Sequence, residues 1–270
     1  MTFVTRTIDE LHIDDEVAFR AVPHYAALKD VLRRARYRFR CLGGSSVGRW
    51  DRALVLNLTF WGGGDGDVLV DERLAADVVT HAAWHHLVAK DLAAHAGSAD
   101  AMLFGESVAS AYDVYLVGKL LGANVRSGFL DTQVAAMSEA ASATGLGKKS
   151  FAALLQSLAV DPEQAFADLR SLLFTASTSL LAAPTMAAAL KTLERLDTHR
   201  FSSLLHHYEL STWVLYARAY APRALAPVPA IRKLDRGLKA DYLDQLLARY
   251  GLGSGSRNAE RASRVATKDR

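Results

Sequence analysis

From Asp77 to Leu92 the chain reads DVVTHAAWHHLVAKDL, with Val78, His81, His85, Val88 and Leu92 following one another at helical steps. Such steps share one side of a helix, so the pattern predicts a helix whose inward stripe carries two imidazoles. Neither Gly nor Pro interrupts the stretch between Leu74 and Ala96. Leu103 to Gly122, LFGESVASAYDVYLVGKLLG, predicts a second helix with Glu106, Ser110, Asp113, Val117 and Leu121 along one side. The HAGSAD between them has turn composition, so the two helices are expected to pass as neighbours and bring Glu106 toward the histidines.

Ahead of these helices the period shortens. Residues 15 to 35 favour a short helix interrupted or started by Pro23. Arg36 to Cys41 then alternates, with arginines on one face and Tyr37, Phe39 and Cys41 on the other, as a half-buried strand would. Cys41 to Trp50, CLGGSSVGRW, reads as a loop without the lysine of a phosphate loop or the glycine spacing of a dinucleotide fingerprint. Ala53 to Phe60 is a strand candidate, WGGGDGD a glycine connection and DVLV the next short strand. Asp65 and Asp67 lack EF-hand spacing, so their loop reads first as a flexible hairpin connection, with a second role as a rim over a cleft given by its place ahead of the histidine helix.

The later chain predicts helices over 127 to 141, 148 to 160, Pro184 to Leu196, Phe201 to Tyr220 and Ile231 to Tyr250. Another opens at Asp161-Pro162-Glu163-Gln164, with Asp as N-cap, Pro in the first turn and Gln placed to complete a capping box. APRALAPVPA reads as a linker. The expected fold is α+β, a small antiparallel strand region in residues 36 to 70 followed by a predominantly helical body. A single domain over residues 1 to 250 and a disordered basic tail over 251 to 270 are expected, with an all-helical body as the alternative.

Composition adds bounds. A hydrophobic fraction of 50% and a charged fraction of 23% are globular values, and a formal charge of +3 is too small to require a polyanionic partner. The basic run from Arg33 to Cys41 alternates its aromatics to the opposite face, which argues against nucleic-acid stacking. No apolar run of about 20 residues and no leader-like start appear, so an unsecreted, cytoplasmic protein without a transmembrane segment is expected. The single cysteine, Cys41, excludes an internal disulfide and a cysteine-rich zinc site.

His81, His85 and Glu106 make a three-ligand zinc set with a fourth position left for water. The competing reading is a polar helix contact, with the two rings satisfied by Asp77, Glu106, Asp113, carbonyls or buried water. His86 points about 100° away from His85 and is expected at the rim.

The run His81-Ala82-Ala83-Trp84-His85, followed by Gly105-Glu106-Ser107 in the next helix, resembles the zinc site of the gluzincin metallopeptidases. That family carries HExxH on one helix and its glutamate ligand on the next. The resemblance implies a zincin-like fold in which His81, His85 and Glu106 are the zinc ligands. Two positions depart from it. Ala82 stands where the family has the glutamate that activates water, and Ser110 where it has a carboxylate orienting a ligand histidine.

The leading expectation is a zinc-dependent hydrolase or metallopeptidase-like protein. Asp77 or Asp113 would orient a ligand histidine or replace the base, and His206 or His207 would assist proton transfer. A non-catalytic, metallopeptidase-like binding or regulatory protein is the main alternative, supported by Ala82. A non-haem iron enzyme on a helical framework is a further one, since imidazole and carboxylate also suit Fe(II). The partner, whether small molecule, peptide or protein, is not legible in the chain.

Overall fold

The structure is a computed structural model that describes residues 3–43, 67–220, 227–240 and 243–252. Among the described residues five short strands lie ahead of the main helical body: β1 (Phe3–Thr7), β2 (His12–Asp14), β3 (Arg38–Leu42), β4 (Val68–Leu69) and β5 (Arg73–Ala75). β3 is central in one sheet, antiparallel to β1 with Phe3 opposite Leu42 and parallel to β4 with Arg40 opposite Val68. β2 and β5 pair in parallel, with Ile13 opposite Leu74. The architecture is α+β with a helical body, and its strand region is mixed rather than antiparallel and reaches back to residue 3. FVTRT alternates too weakly to announce itself; its pairing with the arginine-bearing strand makes it a strand. The strand expected over Ala53 to Phe60, and the glycine connection up to Gly66, lie outside the described residues.

The predicted faces of β3 hold, with Phe39 at 0% and Cys41 at 2% exposure, while Arg38 stays exposed. Pro23 separates α1 (Glu16–Phe19) from α2 (Tyr25–Arg34). α3 (Ala76–Asp91) follows β5 directly, and α4 (Ala99–Gly122) starts at Ser98, whose hydroxyl accepts from the Ala101 amide at 3.2 Å. α4 is the central helix, buried along nearly its whole length and packed against α3, α6 (Lys148–Val160) and α7 (Pro162–Ala182). α5 (Gly128–Ala143) precedes α6, and α8 (Met186–Leu196) follows α7 and packs on it.

Gly118 sets the closest of these approaches. A methyl on its Cα would overlap the Leu158 carbonyl oxygen of α6 and lie 2.8 Å from Pro162 Cβ. Both obstacles are on or next to backbone and cannot swing away. Gly118→Ala should therefore cost about 1–3 kcal/mol despite the better helix propensity of alanine. At Gly105 the same methyl meets nothing nearer than His85 Nδ1 at 3.7 Å, so Gly105→Ala should leave stability equal or slightly raised. Thermal melts of the two variants check the contrast.

Asp161 caps α7 as expected, accepting from the Gln164 amide at 2.9 Å. The Gln164 side chain, however, donates forward to Asp168 at 2.6 Å and does not close the capping box. Phe201 to Tyr220 is not one helix. Its first part is a 3-10 turn (Ser202–Leu204) followed by turns, and Glu209 adopts a left-handed backbone (φ 49°) before α9 (Leu210–Tyr220) begins. A single non-glycine residue in that conformation ends any continuous helix. The last predicted helix falls on α10 (Pro229–Ala240) and α11 (Leu243–Arg249), residues 241–242 lying outside the described residues, and Pro229 sits in the first turn of α10 and not in a linker. Asp100 holds the start of α10, accepting from the Val228 amide and from Arg232 Nε, both at 2.9 Å. Among the described residues no helix is long and apolar enough to cross a membrane.

Candidate metal centre

Along α3, Asp77, His81 and His85 recur every four residues, and along α4 Glu106, Ser110 and Asp113 share a side. The two rows meet where the helices pack. The histidines do not occupy a fully buried stripe, as the spacing had suggested. Val79, Thr80, Ala82, Ala83, Trp84, Leu87 and Val88 take the core, while the His81 and His85 side chains keep 33% and 36% of their surface exposed. HAAW offers apolar groups on most sides, and the large Trp84 ring turns the helix so that the imidazoles lie at the edge. That edge leaves them accessible to an ion.

His85 Nε2 stands 3.1 Å from His81 Nε2 and 3.6 Å from Glu106 Oε1. One ligand atom from each of His81, His85 and Glu106 lies within 4.8 Å of the others, so the trio could hold a metal ion. Ligands of a tetrahedral zinc are about 3.3 Å apart for the usual bond lengths. Two of the separations already straddle that value. His81 turns its other nitrogen, Nδ1, toward Asp113 Oδ2 at 3.6 Å, the arrangement by which a carboxylate fixes the orientation of a ligand imidazole. Asp113 sits two turns beyond Glu106, while Ser110, one turn beyond it, is 5% exposed in the packed interface.

Two facing ring nitrogens need one proton between them when no cation does the work. Burial opposes charge on His81, but the Asp113 carboxylate, with Glu106 and Asp67, outweighs it and lifts the ring to about 9. Burial lowers His85, against the pull of Glu106 and with the help of the neighbouring His81. The two opposite shifts favour the proton on His81 over His85. Metal binding must displace it, so near neutral pH the uptake of zinc should release about one proton. Affinity should rise with pH and level off as the pH passes the His81 value. Calorimetry in buffers of different ionisation enthalpy reads this directly, and proton-neutral binding near pH 7 would contradict it.

Asp77, one turn before His81, has its carboxyl pushed up to about 6 by burial and by the Asp113 charge. Asp67 approaches from the strand side. Its carboxylate accepts from the Tyr37 hydroxyl at 3.2 Å, and its charge acts on both imidazoles. The Tyr37 ring meets His86 edge-on at 5.9 Å, so His86 bridges toward this rim instead of ligating. The place of Asp67 had been legible only as the end of a glycine connection; nothing in its spacing announced a link to Tyr37.

The later histidines divide. His206 is exposed on the turn before α9 and does not join the trio. His207 lies nearer, its Nε2 3.2 Å from Gln133 Oε1 of α5, and it feels the Asp113 charge. Burial lowers its pKa, so it is a neutral ring near pH 7 and suited to accept a proton. Ala82 is 2% exposed within the hydrophobic core.

Compared with protein families, curated proteins and solved structures, the chain matches none of them.

Proposed function

We propose that the protein is a zinc-dependent hydrolase in which His81, His85 and Glu106 hold the metal. The observation that carries this reading is the convergence of the two Nε2 atoms and the Glu106 carboxylate on one half-exposed point, with Asp113 behind His81. Three protein ligands leave a coordination position open, as catalytic zinc sites do. Zinc there supplies Lewis acidity and lowers the pKa of a water molecule. The residues of the chain then have distinct tasks. Asp113 keeps His81 in the orientation that presents Nε2. Asp77, lifted into the range where a carboxylate exchanges protons near neutrality, and His207, neutral through burial, are the groups on the Asp113 side that can take a proton.

The core position of Ala82 favours a second reading, a metal-binding protein of metallopeptidase-like design that does not hydrolyse peptides. Glutamate at that position would meet packed apolar neighbours, so Ala82→Glu is expected to destabilise the protein before it restores any activity. A panel of peptides and activated esters, offered to zinc-loaded protein, decides between the two. Hydrolysis that vanishes in folded His85→Ala supports the enzyme. Stoichiometric zinc without hydrolysis of any member supports the binding protein, and iron in place of zinc would overturn both.

A further inference from the structure

α8 packs on α7 with its smaller side chains. Ala188, Ala189, Thr192 and Leu196 are half-buried on one side of the helix, while Met186, Leu190 and Leu193, spaced i, i+4 and i+7, share another side and are 75%, 52% and 37% exposed. No residue of the helix is fully buried. Single exposed apolar side chains are ordinary, but three large ones in one stripe, with alanines turned inward in their place, mark a surface made to be covered. Arg218 of α9 donates to the carbonyl oxygens of Leu181 at 3.2 Å and Ala183 at 2.8 Å, which holds α9 at the corner between α7 and α8. Leu215, one turn before Arg218, is exposed too and adds apolar surface near that corner.

The charges around the stripe select the occupant. Helical spacing puts Glu194 and Asp197 beside it at the C-terminal end of α8, whereas Lys191 and Arg195 lie on the far side. Carboxylates at that end oppose the dipole of their own helix. A second α8 laid antiparallel on the first brings each Glu194 to the other helix's first turn, where the positive end of the dipole lies. The stripe also matches itself. With the two helices reversed about Leu190, that residue meets its own copy and Met186 meets Leu193, the isologous contact of a two-fold dimer. An anionic lipid surface would instead be repelled by the same two carboxylates.

We propose that two copies of this chain associate through α8, antiparallel and face to face. The association does not depend on a metal at the candidate centre. A helix of 11 residues is about 16 Å long, so the contact falls short of the roughly 800 Å² per partner of a standard stable interface, and the dimer should be a micromolar one. Sedimentation velocity of the full chain over about 1–300 μM should show monomer giving way to dimer. Leu190→Glu, at an exposed position that leaves the circular dichroism unchanged, should stay monomeric throughout, and Glu194→Gln should weaken association by about three- to tenfold. A short bismaleimide reads the orientation: Met186→Cys mixed with Leu193→Cys should couple and Met186→Cys alone should not, with unaltered protein as the control for the buried Cys41. Wild type that stays monomeric at the highest concentration would overturn the proposal. So would a dimer that survives Leu190→Glu, or one that couples Met186→Cys to itself. A monomer that co-sediments with vesicles of phosphatidylcholine and phosphatidylserine would give the face to a membrane and overturn it as well.

Discussion

If the trio holds zinc as proposed, His85→Ala should leave a folded protein that has lost nearly all of it. His85 Nε2 is the middle of the trio, 3.1 Å from His81 Nε2 and 3.6 Å from Glu106 Oε1, so its removal leaves two ligands that are not held together by a third. Loss of a supporting group behind a ligand costs about 10–100-fold in metal affinity, and loss of a ligand itself should cost more than about 100-fold. The fold should survive because the ring is an edge group and the helix is secured by Trp84, Leu87 and Val88 in the core. His86→Ala removes an imidazole one residue away and should keep its full zinc. Asp113→Asn should fall between them, retaining the ligands but losing the charge behind His81. Elemental analysis after dialysis, with circular dichroism to confirm folding, ranks the three. Equal zinc in wild type and His85→Ala would remove the assignment.

The second large effect lies away from the centre. Asp235→Ala should destabilise the protein by about 3–5 kcal/mol, because it leaves the Arg170 guanidinium buried without its carboxylate. Arg170 is 0% exposed, its Nη1 donates to Asp235 Oδ1 at 2.8 Å, and its guanidinium sits 6.0 Å from the Phe104 ring centre. Burial lowers the Arg170 pKa, and Asp235 opposes that loss of charge. The pair joins α10 to α7, so its failure should loosen the C-terminal helices first. Replacing both partners by apolar residues, Arg170→Met with Asp235→Leu, should recover much of the loss, since neither charge then remains unpaired. Denaturant melts of the single and double variants give the comparison, and a double variant as unstable as Asp235→Ala would contradict it.

Helical spacing located the chemistry better than it located the core. The steps from His81 to His85 and from Glu106 to Asp113 were legible because both helices are long and unbroken, so two rows on neighbouring helices had to meet if the turn between them was short. The same spacing misjudged depth. α3 is apolar on most sides, and no count of positions can say that Trp84 will win the interior over an imidazole. Strand partners were less legible still. β1 has no tight turn linking it to β3, and its pairing is set by contacts across more than thirty residues of sequence. The break at Glu209 had no Gly or Pro to mark it. Asp67 illustrates the limit at the site: its neighbour Tyr37 lies thirty residues earlier, and a hydrogen bond over that span leaves no periodic trace.

The most direct test of the centre is anomalous diffraction at the zinc absorption edge from crystals of tag-free protein. One zinc is expected at His81, His85 and Glu106, with nitrogen bonds of about 2.0–2.1 Å and the His81 Nδ1 still facing Asp113. A peak at that edge located elsewhere, or none in protein crystallised with excess zinc, would contradict it.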